Sequence, residues 1–339
     1  SRIMADKDVM RFSSVMFRHK VPAPKWYNPF KKQHGAGIAQ LDLTLQSGQI
    51  VGLVGTNGAG KTTLLRMMSG VLPIESGSVA TNGTVLSSQE LRRRVGFMPE
   101  HVRWSGHESV EQTLVEFALL RGCSKDSALD ILGVIGLKNR ASSPLDSLSQ
   151  GMRQRLSLGI ALLGTPDVLV LDEPFNGMDP VAIDAFKRLL QSLAAKGIAI
   201  VISSHHLFEL DQLIDTLALL HRGQLVAHGT TVSIQEKLGF EQLTEVCLDS
   251  ELPEKLMENL DILEHSSTTS KHHMILQSVP KNLLNDIVEL GIGVITWREI
   301  QPSLIELLCA ATGLDRQSIG MDVENSAWLP MRKLQEEEE

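Results

Sequence analysis

A glycine-rich segment that ends in a lysine and two threonines carries the clearest chemical signal in this sequence. It reads Gly-Thr-Asn-Gly-Ala-Gly-Lys-Thr over 55–62, fits the pattern G-x-x-x-x-G-K-[ST], and lies between an apolar run at 50–54 and a helical stretch at 61–69. Glycines let such a loop curl so that its N–H groups surround phosphate oxygens, and the positive end of the following helix adds to the attraction. The predicted nucleotide-binding residues are Gly55, Thr56, Asn57, Gly58, Ala59, Gly60, Lys61, Thr62 and Thr63. Lys61 is expected to reach the β and γ phosphates, and the Thr62 hydroxyl to ligand Mg²⁺.

Two adjacent carboxylates follow a second apolar run, 168–171, where a strand is predicted to end. In open α/β sheets, ligands gather at the carboxyl ends of the strands. Asp172 is suited to holding Mg²⁺ through water, and Glu173 to orienting the attacking water or accepting its proton. The chain has no Asn-Lys-x-Asp sequence, the motif that recognises guanine, so a GTPase is disfavoured.

The stretch Leu-Ser-Gln-Gly-Met at 148–152 precedes this acidic pair. It resembles the signature motif of the ATP-binding cassette (ABC) family, usually Leu-Ser-Gly-Gly-Gln, with departures at Gln150 and Met152. Ser149 can cap a helix, Gly151 allows close approach, and a helix N-terminus offers N–H groups to an anion. The resemblance implies that Ser149, Gln150 and Gly151 contact ATP held by a second cassette.

Further matches to the ABC family follow in the family's order over 38–230. The stretch Asn-Gly-Met-Asp at 176–179 resembles the loop that links the two active sites of a dimer, with Asp179 as its acidic residue. His205 matches the switch histidine that contacts the γ phosphate, and the order of motifs favours it over the adjacent His206. Glu100 occupies the place of the family's glutamine loop; its carboxylate can bind Mg²⁺ and water, but it adds negative charge near the γ phosphate.

The resemblance implies a fold and an activity as well as a site. The expected fold is α/β: a P-loop NTPase cassette with an inserted helical subdomain, plus a small C-terminal α+β domain. The implied activity is ATP hydrolysis with ATP and Mg²⁺ as cofactors, no structural metal, and Lys61, Glu173 and His205 as catalytic residues. The implied partners are one or more membrane permease subunits and a second cassette, with a homodimer favoured and no nucleic acid expected.

Hydrophobic patterns place these motifs on predicted elements. Strands are predicted at 50–54, 168–171 and 198–202, and helices at 61–69, 110–121, 125–135 and 182–195. The later part of the chain is predicted to form strands at 244–248, 273–276 and 294–299 and helices at 281–290 and 303–311. The predicted domains are a nucleotide-binding domain at 1–239 with a helical subdomain at about 101–165, an accessory domain at 240–324, and a disordered acidic tail at 325–339.

The segment 20–37 is predicted to be a loop because it contains three prolines. It also carries aromatic and basic residues that could touch a nucleotide, a membrane surface or a partner, although an ordinary surface loop is the simpler interpretation. Tyr27 and Phe30 are candidates for stacking on adenine, without a firm alignment to choose between them.

Composition excludes several classes of protein. The formal net charge is -8, whereas a nucleic-acid-binding domain is more often basic. The three cysteines have no CxxC spacing, which argues against a disulfide framework or a zinc site. No apolar run approaches the length of a membrane span, and no signal-peptide core is predicted. The expected location is therefore cytoplasmic, and the resemblance implies attachment to the inner face of the cell membrane through a permease.

Two alternatives to a transporter motor stay open at this stage. One is a soluble ABC-family ATPase that acts on a ribosome or DNA complex, although two cassettes in one chain or long heptad arms, which such proteins carry, are absent here. The other is a nucleotide-gated scaffold without hydrolysis, which Lys61, Asp172 and Glu173 disfavour. The stretches 300–306 and 311–313 resemble a domain that ends many exporter cassettes, which favours export over nutrient import.

Overall fold

A computed structural model describes residues 8–22, 32–239, 243–268, 271–277, 279–280 and 282–313. Within the described residues the chain divides into two compact units, one made of 8–231 and 311–313 and the other of 232–310. The predicted domain boundary at 240 lies inside the second unit. The predicted tail at 325–339, Tyr27 and Phe30 lie outside the described residues.

The first unit contains two sheets and the helices that cover them. Its strands are β1 (Asp8–Pro22), β2 (Lys32–Gln46), β3 (Ile50–Gly55), β4 (Ser76–Thr81), β5 (Thr84–Val85), β6 (Val95–Met98), β7 (Val168–Asp172), β8 (Ala199–Ser203), β9 (Thr216–His221) and β10 (Gln224–Gly229). Its helices are α1 (Lys61–Met68), α2 (Ser88–Arg94), α3 (Val110–Leu120), α4 (Lys125–Val134), α5 (Gln150–Leu162), α6 (Pro180–Ala194) and α7 (Leu207–Asp211).

The central sheet has the strand order β10-β9-β3-β8-β7-β6, and its neighbours are parallel except for β10 and β9. Every residue of β3, β7 and β8 is buried, as expected for parallel strands covered on both faces. Because parallel strands end at the same edge of a sheet, Gly55, Asp172 and Ser203 all lie at that edge.

The second sheet of this unit is antiparallel, with the order β2-β1-β4-β5. Its buried face shares one hydrophobic core with α1 and the central sheet, to which Phe12, Leu45, Leu64 and Val170 contribute. This core fixes α1, and with it the loop that precedes α1, against two sheets at once.

Three helices, α3 to α5, lie between β6 and β7 along the chain. Each begins at a serine whose hydroxyl accepts a backbone N–H from the first turn: Ser109, Ser124 and Ser149. Such caps satisfy N–H groups that have no partner within the helix. Helix α5 therefore starts at a defined residue, immediately after Ser149.

Most predicted elements of the first unit are confirmed. Strands β3, β7 and β8 match the predictions at 50–54, 168–171 and 198–202 to within one residue at each end. Helices α1, α3 and α4 agree equally well with their predictions, and α6 begins two residues earlier than 182.

The prediction of a loop over the whole of 20–37 is wrong. Strand β1 continues to Pro22 and β2 starts at Lys32, and these two residues are paired in the antiparallel register. A proline is tolerated at the end of a strand, where the loss of one N–H breaks few ladder hydrogen bonds. The pairing of β1 with β2 therefore extends both strands into a segment whose composition is typical of a turn.

The second unit is an antiparallel sheet with helices, in the order β12-β13-β11-β14. Its elements are α8 (Thr231–Lys237), β11 (Leu243–Leu248), α9 (Glu254–Met257), β12 (Asp261–Thr268), β13 (Lys271–Gln277), α10 (Leu283–Glu289), β14 (Val294–Ile300) and α11 (Leu304–Thr312). A separate core forms around Val246, Met274, Leu276 and Ile287. The strands and helices predicted for this part of the chain are confirmed, whereas α8, α9 and β12 were not predicted. Among the described residues, no helix is both long enough and apolar enough to cross a bilayer.

Gly96 tests how tightly β6 packs beneath α5. A Cβ at this position would lie 2.0 Å from the backbone oxygen of Ala161 in α5, so Gly96→Ala should force the helix away from the sheet. We expect a loss of about 1–3 kcal/mol in the free energy of unfolding, measured by urea denaturation. The matched control is Gly133→Ala in α4, where a Cβ meets open space and the helix should gain about 0.5–1 kcal/mol. Equal effects of the two substitutions would contradict the close approach.

Candidate nucleotide site at the edge of the parallel sheet

The phosphate-binding loop connects β3 to α1, as the sequence predicts. Gly60 is the N-cap residue of α1 and has a φ of 104°, a left-handed value that favours glycine. At Gly55 a Cβ would lie 2.3 Å from the backbone oxygen of Leu220 on β9. The two glycines thus allow the loop to turn tightly against the sheet and to present the start of α1 at its edge.

The Lys61 ammonium lies within this loop. It donates to the backbone oxygens of Gly55, at 2.7 Å, and Thr56, at 3.3 Å. Burial lowers the pKa of Lys61, and three carboxylates oppose that shift: first Glu173, then Asp172 and Glu100. One ammonium therefore faces three carboxylates, two of them adjacent at the end of β7 and the third shortly after β6.

The acidic pair is buried where β7 ends: Asp172 is 2% exposed and Glu173 3%. Asp172 stands opposite Ser203 in the parallel register of β7 and β8. The Ser203 hydroxyl donates to Asp172 Oδ1 at 2.7 Å and accepts the Glu173 N–H at 3.1 Å. A single serine thus fixes the carboxylate of one residue and the backbone of the next.

Glu173 has a strained backbone, and only one of its two carboxylate oxygens accepts a hydrogen bond. Its φ of 51° is in the left-handed region, which is uncommon for a residue other than glycine. Its Oε2 accepts the His205 N–H at 2.9 Å, whereas the buried Oε1 forms no hydrogen bond. His205 Nε2 lies 3.3 Å from Oε1, but without hydrogen-bond geometry. Oε1 is therefore a free acceptor aimed into the site.

Burial raises the pKa of Glu173, and the neighbouring carboxylates of Asp172 and Glu100 raise it further. The hydrogen bond from the His205 N–H and the charge of Lys61 lower this pKa, but they do not cancel the rise. Burial also lowers the pKa of the His205 imidazole, and the Lys61 charge adds to this effect. The site therefore favours a neutral imidazole beside a carboxylate that binds protons more readily than an exposed glutamate.

His206, the alternative switch residue, is the N-cap residue of α7, and its N–H donates to the Ser204 hydroxyl. Of the two histidines it is His205 whose backbone and ring both lie next to Glu173. The structure thus brings Lys61, Asp172, Glu173, Glu100 and His205 together.

The signature residues form a second group at the start of α5. The Ser149 hydroxyl accepts the Met152 N–H at 3.3 Å, and the Gln150 amide donates to the backbone oxygen of Asn176 at 3.4 Å. Asp179 caps α6 by accepting the Ala182 N–H at 2.8 Å. Within the described part of the chain, no hydrogen bond or ion pair joins Ser149, Gln150 or Asp179 to the phosphate-binding loop.

Sequence reasoning assigned no role to Ser203 or His19, and it placed Asn176 only within the stretch 176–179 that resembles the loop between two active sites. Ser203 directly follows the strand predicted at 198–202, and only the register with β7 shows that its hydroxyl meets the acidic pair. Asn176 donates through its side chain to Glu100 Oε1 at 3.4 Å. His19, on β1, has its Nε2 atom 3.3 Å from the Thr63 hydroxyl at the start of α1, next to a segment that was predicted to be a loop.

The oxygen ligands in the site suit Mg²⁺, a cation that keeps several waters and takes few ligands from the protein. One oxygen of Asp172 is bound by Ser203, so the other is available for a cation. Among the described residues, no three His, Cys, Asp or Glu side chains are arranged to hold a metal by themselves. The residues present therefore fit a cation that shares its ligands with phosphate and water, and not a closed protein cage.

A phosphate-binding loop after the first strand of a parallel sheet, with a buried acidic pair on a neighbouring strand, defines a P-loop nucleotide-binding protein. The family model described as "ABC transporter" matches residues 38–176. The chain is 26% identical over 300 residues to the linearmycin resistance ATP-binding protein LnrL of Bacillus subtilis, covering 84% of this chain and 96% of LnrL. It is 31% identical over 198 residues to the lantibiotic transport ATP-binding protein SrtF of Streptococcus pyogenes, covering 58% of this chain and 86% of SrtF.

Among solved structures, the ATP-binding subunit of an ABC transporter superposes with a TM-score of 0.56 at 27% identity, covering 68% of this chain and 93% of that one. The chain belongs to the family of ABC transporter ATP-binding subunits, which hydrolyse ATP to power transport. The predicted family, fold class and ATPase activity are confirmed, and the soluble ATPase alternative is not favoured.

The raised pKa of Glu173 predicts a pH-dependent gain in stability for Glu173→Gln. A raised pKa means that the charged form is less favourable in the folded chain than in the unfolded chain, so stability is lost as pH rises through the folded value. At pH 7 in chelator, the variant should therefore have a higher free energy of unfolding than the wild type. Below the ordinary pKa of 4.5 this difference should shrink.

Urea denaturation at a series of pH values measures this difference. The matched control is Glu116→Gln at an exposed position on α3, which should change stability little at any pH. A difference between Glu173→Gln and the wild type that is constant across the series would show that burial of the charge is not its cause.

Proposed function

We propose that this chain powers a separate membrane permease by closing on ATP together with a second cassette and reopening after hydrolysis. One observation carries this proposal: at the edge of the parallel sheet, the Lys61 ammonium lies close to the buried Glu173 carboxylate. The Oε1 atom of that carboxylate accepts no hydrogen bond. A cation for phosphate and an acceptor for the proton of water are what hydrolysis of a phosphoanhydride needs.

In the proposed role, the loop 55–62 holds the phosphates through its N–H groups, and Lys61 moves from the loop's own oxygens to the β and γ phosphates. Thr62, Asp172 and Glu100 are the proposed Mg²⁺ ligands, directly or through water. Mg²⁺ held by these residues would neutralise negative charge on the phosphates. His19 is the proposed contact for the adenine base, because its ring lies beside Thr63 at the start of α1.

Glu173 orients the attacking water and accepts its proton at Oε1, the oxygen that has no donor. Its raised pKa makes this carboxylate a better proton acceptor than an exposed glutamate. His205 donates from its neutral ring to the phosphoryl oxygens, where charge develops during transfer. Ser203 keeps Asp172 and Glu173 in place throughout, because it binds the side chain of one and the backbone of the other.

Ser149, Gln150 and Gly151 of a second copy, with its Asp179 nearby, are proposed to close the site from the opposite side. Two observations support this: α5 begins with N–H groups that can face an anion, and the described contacts of these residues do not reach the phosphate-binding loop of their own chain. One chain contains both the phosphate-binding loop and the signature residues, so a homodimer would have two complete sites.

Export is the proposed direction of transport. LnrL and SrtF are named for linearmycin resistance and lantibiotic transport, and the C-terminal stretches resemble those of exporter cassettes. The second unit is proposed as the accessory domain, with a regulatory or dimer-stabilising role. The protein is proposed to sit on the inner face of the membrane through its permease.

Isosteric removal of the base should separate hydrolysis from binding. Glu173→Gln should lower ATP hydrolysis by about 10²–10⁴-fold while ATP still binds, because Gln cannot accept the proton. Lys61→Ala should instead weaken ATP binding itself. Steady-state phosphate release and equilibrium nucleotide binding distinguish the two effects. Glu116→Gln is the control and should retain both activities, whereas hydrolysis that persists in Glu173→Gln would show that another group is the base.

The transporter role is tested with the Glu173→Gln variant trapped with ATP in the source cells. Membranes are extracted in mild detergent, and the proteins that copurify are identified. A multi-spanning permease should be recovered, and its identity would name the system. Recovery with ribosomes or DNA, or no membrane protein at all, would overturn the proposed role.

A further inference from the structure

Asn176 stands between the two groups of site residues. Its backbone N–H donates to the backbone oxygen of Glu173 at 3.3 Å. Its side-chain amide donates to Glu100 Oε1 at 3.4 Å. Its own backbone oxygen accepts from two amides of α5, Gln150 at 3.4 Å and Gln154 at 3.5 Å. One residue thus contacts Glu173, Glu100 and the signature helix.

The chain around Asn176 is held in a defined shape. Phe175 is fully buried and packs edge-on against Phe186 of α6. Gly177 has a φ of 72°, and a Cβ there would lie 3.2 Å from Gln150 Cγ. The Gln154 side chain is also buried, so its amide has few partners besides the Asn176 oxygen. Side chains at the start of α5 therefore contact this segment directly.

Charge explains why an amide suits this position. Glu100 already faces the same ammonium as Asp172 and Glu173. A carboxylate at 176 would add a fourth negative group beside Glu100 Oε1, whereas the Asn176 amide adds no charge and donates a hydrogen bond. His101 Nε2 is 3.6 Å from the same oxygen, beyond hydrogen-bond distance.

We propose that Asn176 is a positioning residue for hydrolysis: it orients the Glu100 carboxylate and links the start of α5 to Glu173. The inference rests on the proposed function, since Glu100 and Glu173 act on ATP only there. Asn176 itself touches no reacting atom. Its loss should therefore lower kcat with little change in the KM for ATP.

Exchanging the hydrogen-bond donor and acceptor between residues 176 and 100 tests this role. Asn176→Asp cannot donate to Glu100 and repels it, so kcat should fall about tenfold while KM stays within about twofold. Adding Glu100→Gln puts the donor on residue 100 and the acceptor on residue 176. Compared with Glu100→Gln alone, the double variant should then lose less than about twofold, which is a non-additive rescue.

Asn176→Ala is the matched control. It removes the amide but offers no acceptor, so Glu100→Gln should not rescue it. Equal behaviour of the Asp and Ala variants in the Glu100→Gln background would overturn the proposal, because a general packing role predicts no dependence on which partner donates.

Melting temperatures of the same variants without nucleotide give a second readout. Asn176→Asp should melt below the wild type, and Glu100→Gln should restore part of the difference. Should Asn176→Asp be insoluble, recovery of soluble protein in the double variant supports the proposal, and failure to recover it counts against it. Wild-type hydrolysis and its loss in Glu173→Gln report on the proposed function separately from these ratios.

Discussion

The parallel register of β7 and β8 places Asp172 opposite Ser203, and the site depends on this pairing. Both residues are buried, so the hydroxyl and the carboxylate satisfy each other where water does not reach them. The same hydroxyl accepts the next N–H, which belongs to Glu173. Because the chain leaves the sheet at that residue, Glu173 takes a left-handed φ and directs its carboxylate towards His205. A slip of one residue in this register would separate the hydroxyl from both partners.

Around Asp172 and Ser203, negatively charged side chains outnumber positively charged ones. The positive charge of Lys61 lowers the pKa of Glu173, while the negative charges of Asp172 and Glu100 raise it. Buried charges of one sign are costly unless a counter-charge is near. An excess of carboxylates suits a site in which a divalent cation accompanies an anionic substrate, because the protein then supplies ligands and the cation balances them. Burial also accounts for the directions of the shifts, upward for the Glu173 pKa and downward for those of Lys61 and His205.

The sequence allowed the parts of this site that depend on local order to be predicted. The loop 55–62 has its pattern, its preceding strand and its following helix within one stretch of chain, and the runs 168–171 and 198–202 are apolar enough to mark buried strands. The extension of β1 and β2 could not be predicted in this way, because pairing across the hairpin outweighs the turn-like composition of 20–37. The side-chain contacts of Ser203 and Asn176 were missed for a related reason: each is a hydrogen bond to a residue distant in sequence, Asp172 for one and Glu100 for the other.

The signature helix has two faces with different tasks in the proposed dimer. In that dimer its first N–H groups would face a second copy, while the amides of Gln150 and Gln154 donate to the Asn176 backbone oxygen of their own chain. Asn176 is three residues beyond Glu173 and is hydrogen-bonded to it, so any shift of α5 reaches the base of the same chain over a short path. In the proposed dimer, each α5 would contact the ATP bound by the other copy and would be linked through Asn176 to Glu173 of its own chain. Closure of one site would therefore affect the other site. In the proposed dimer, packing and hydrogen bonds through Asn176 would couple the two hydrolysis steps.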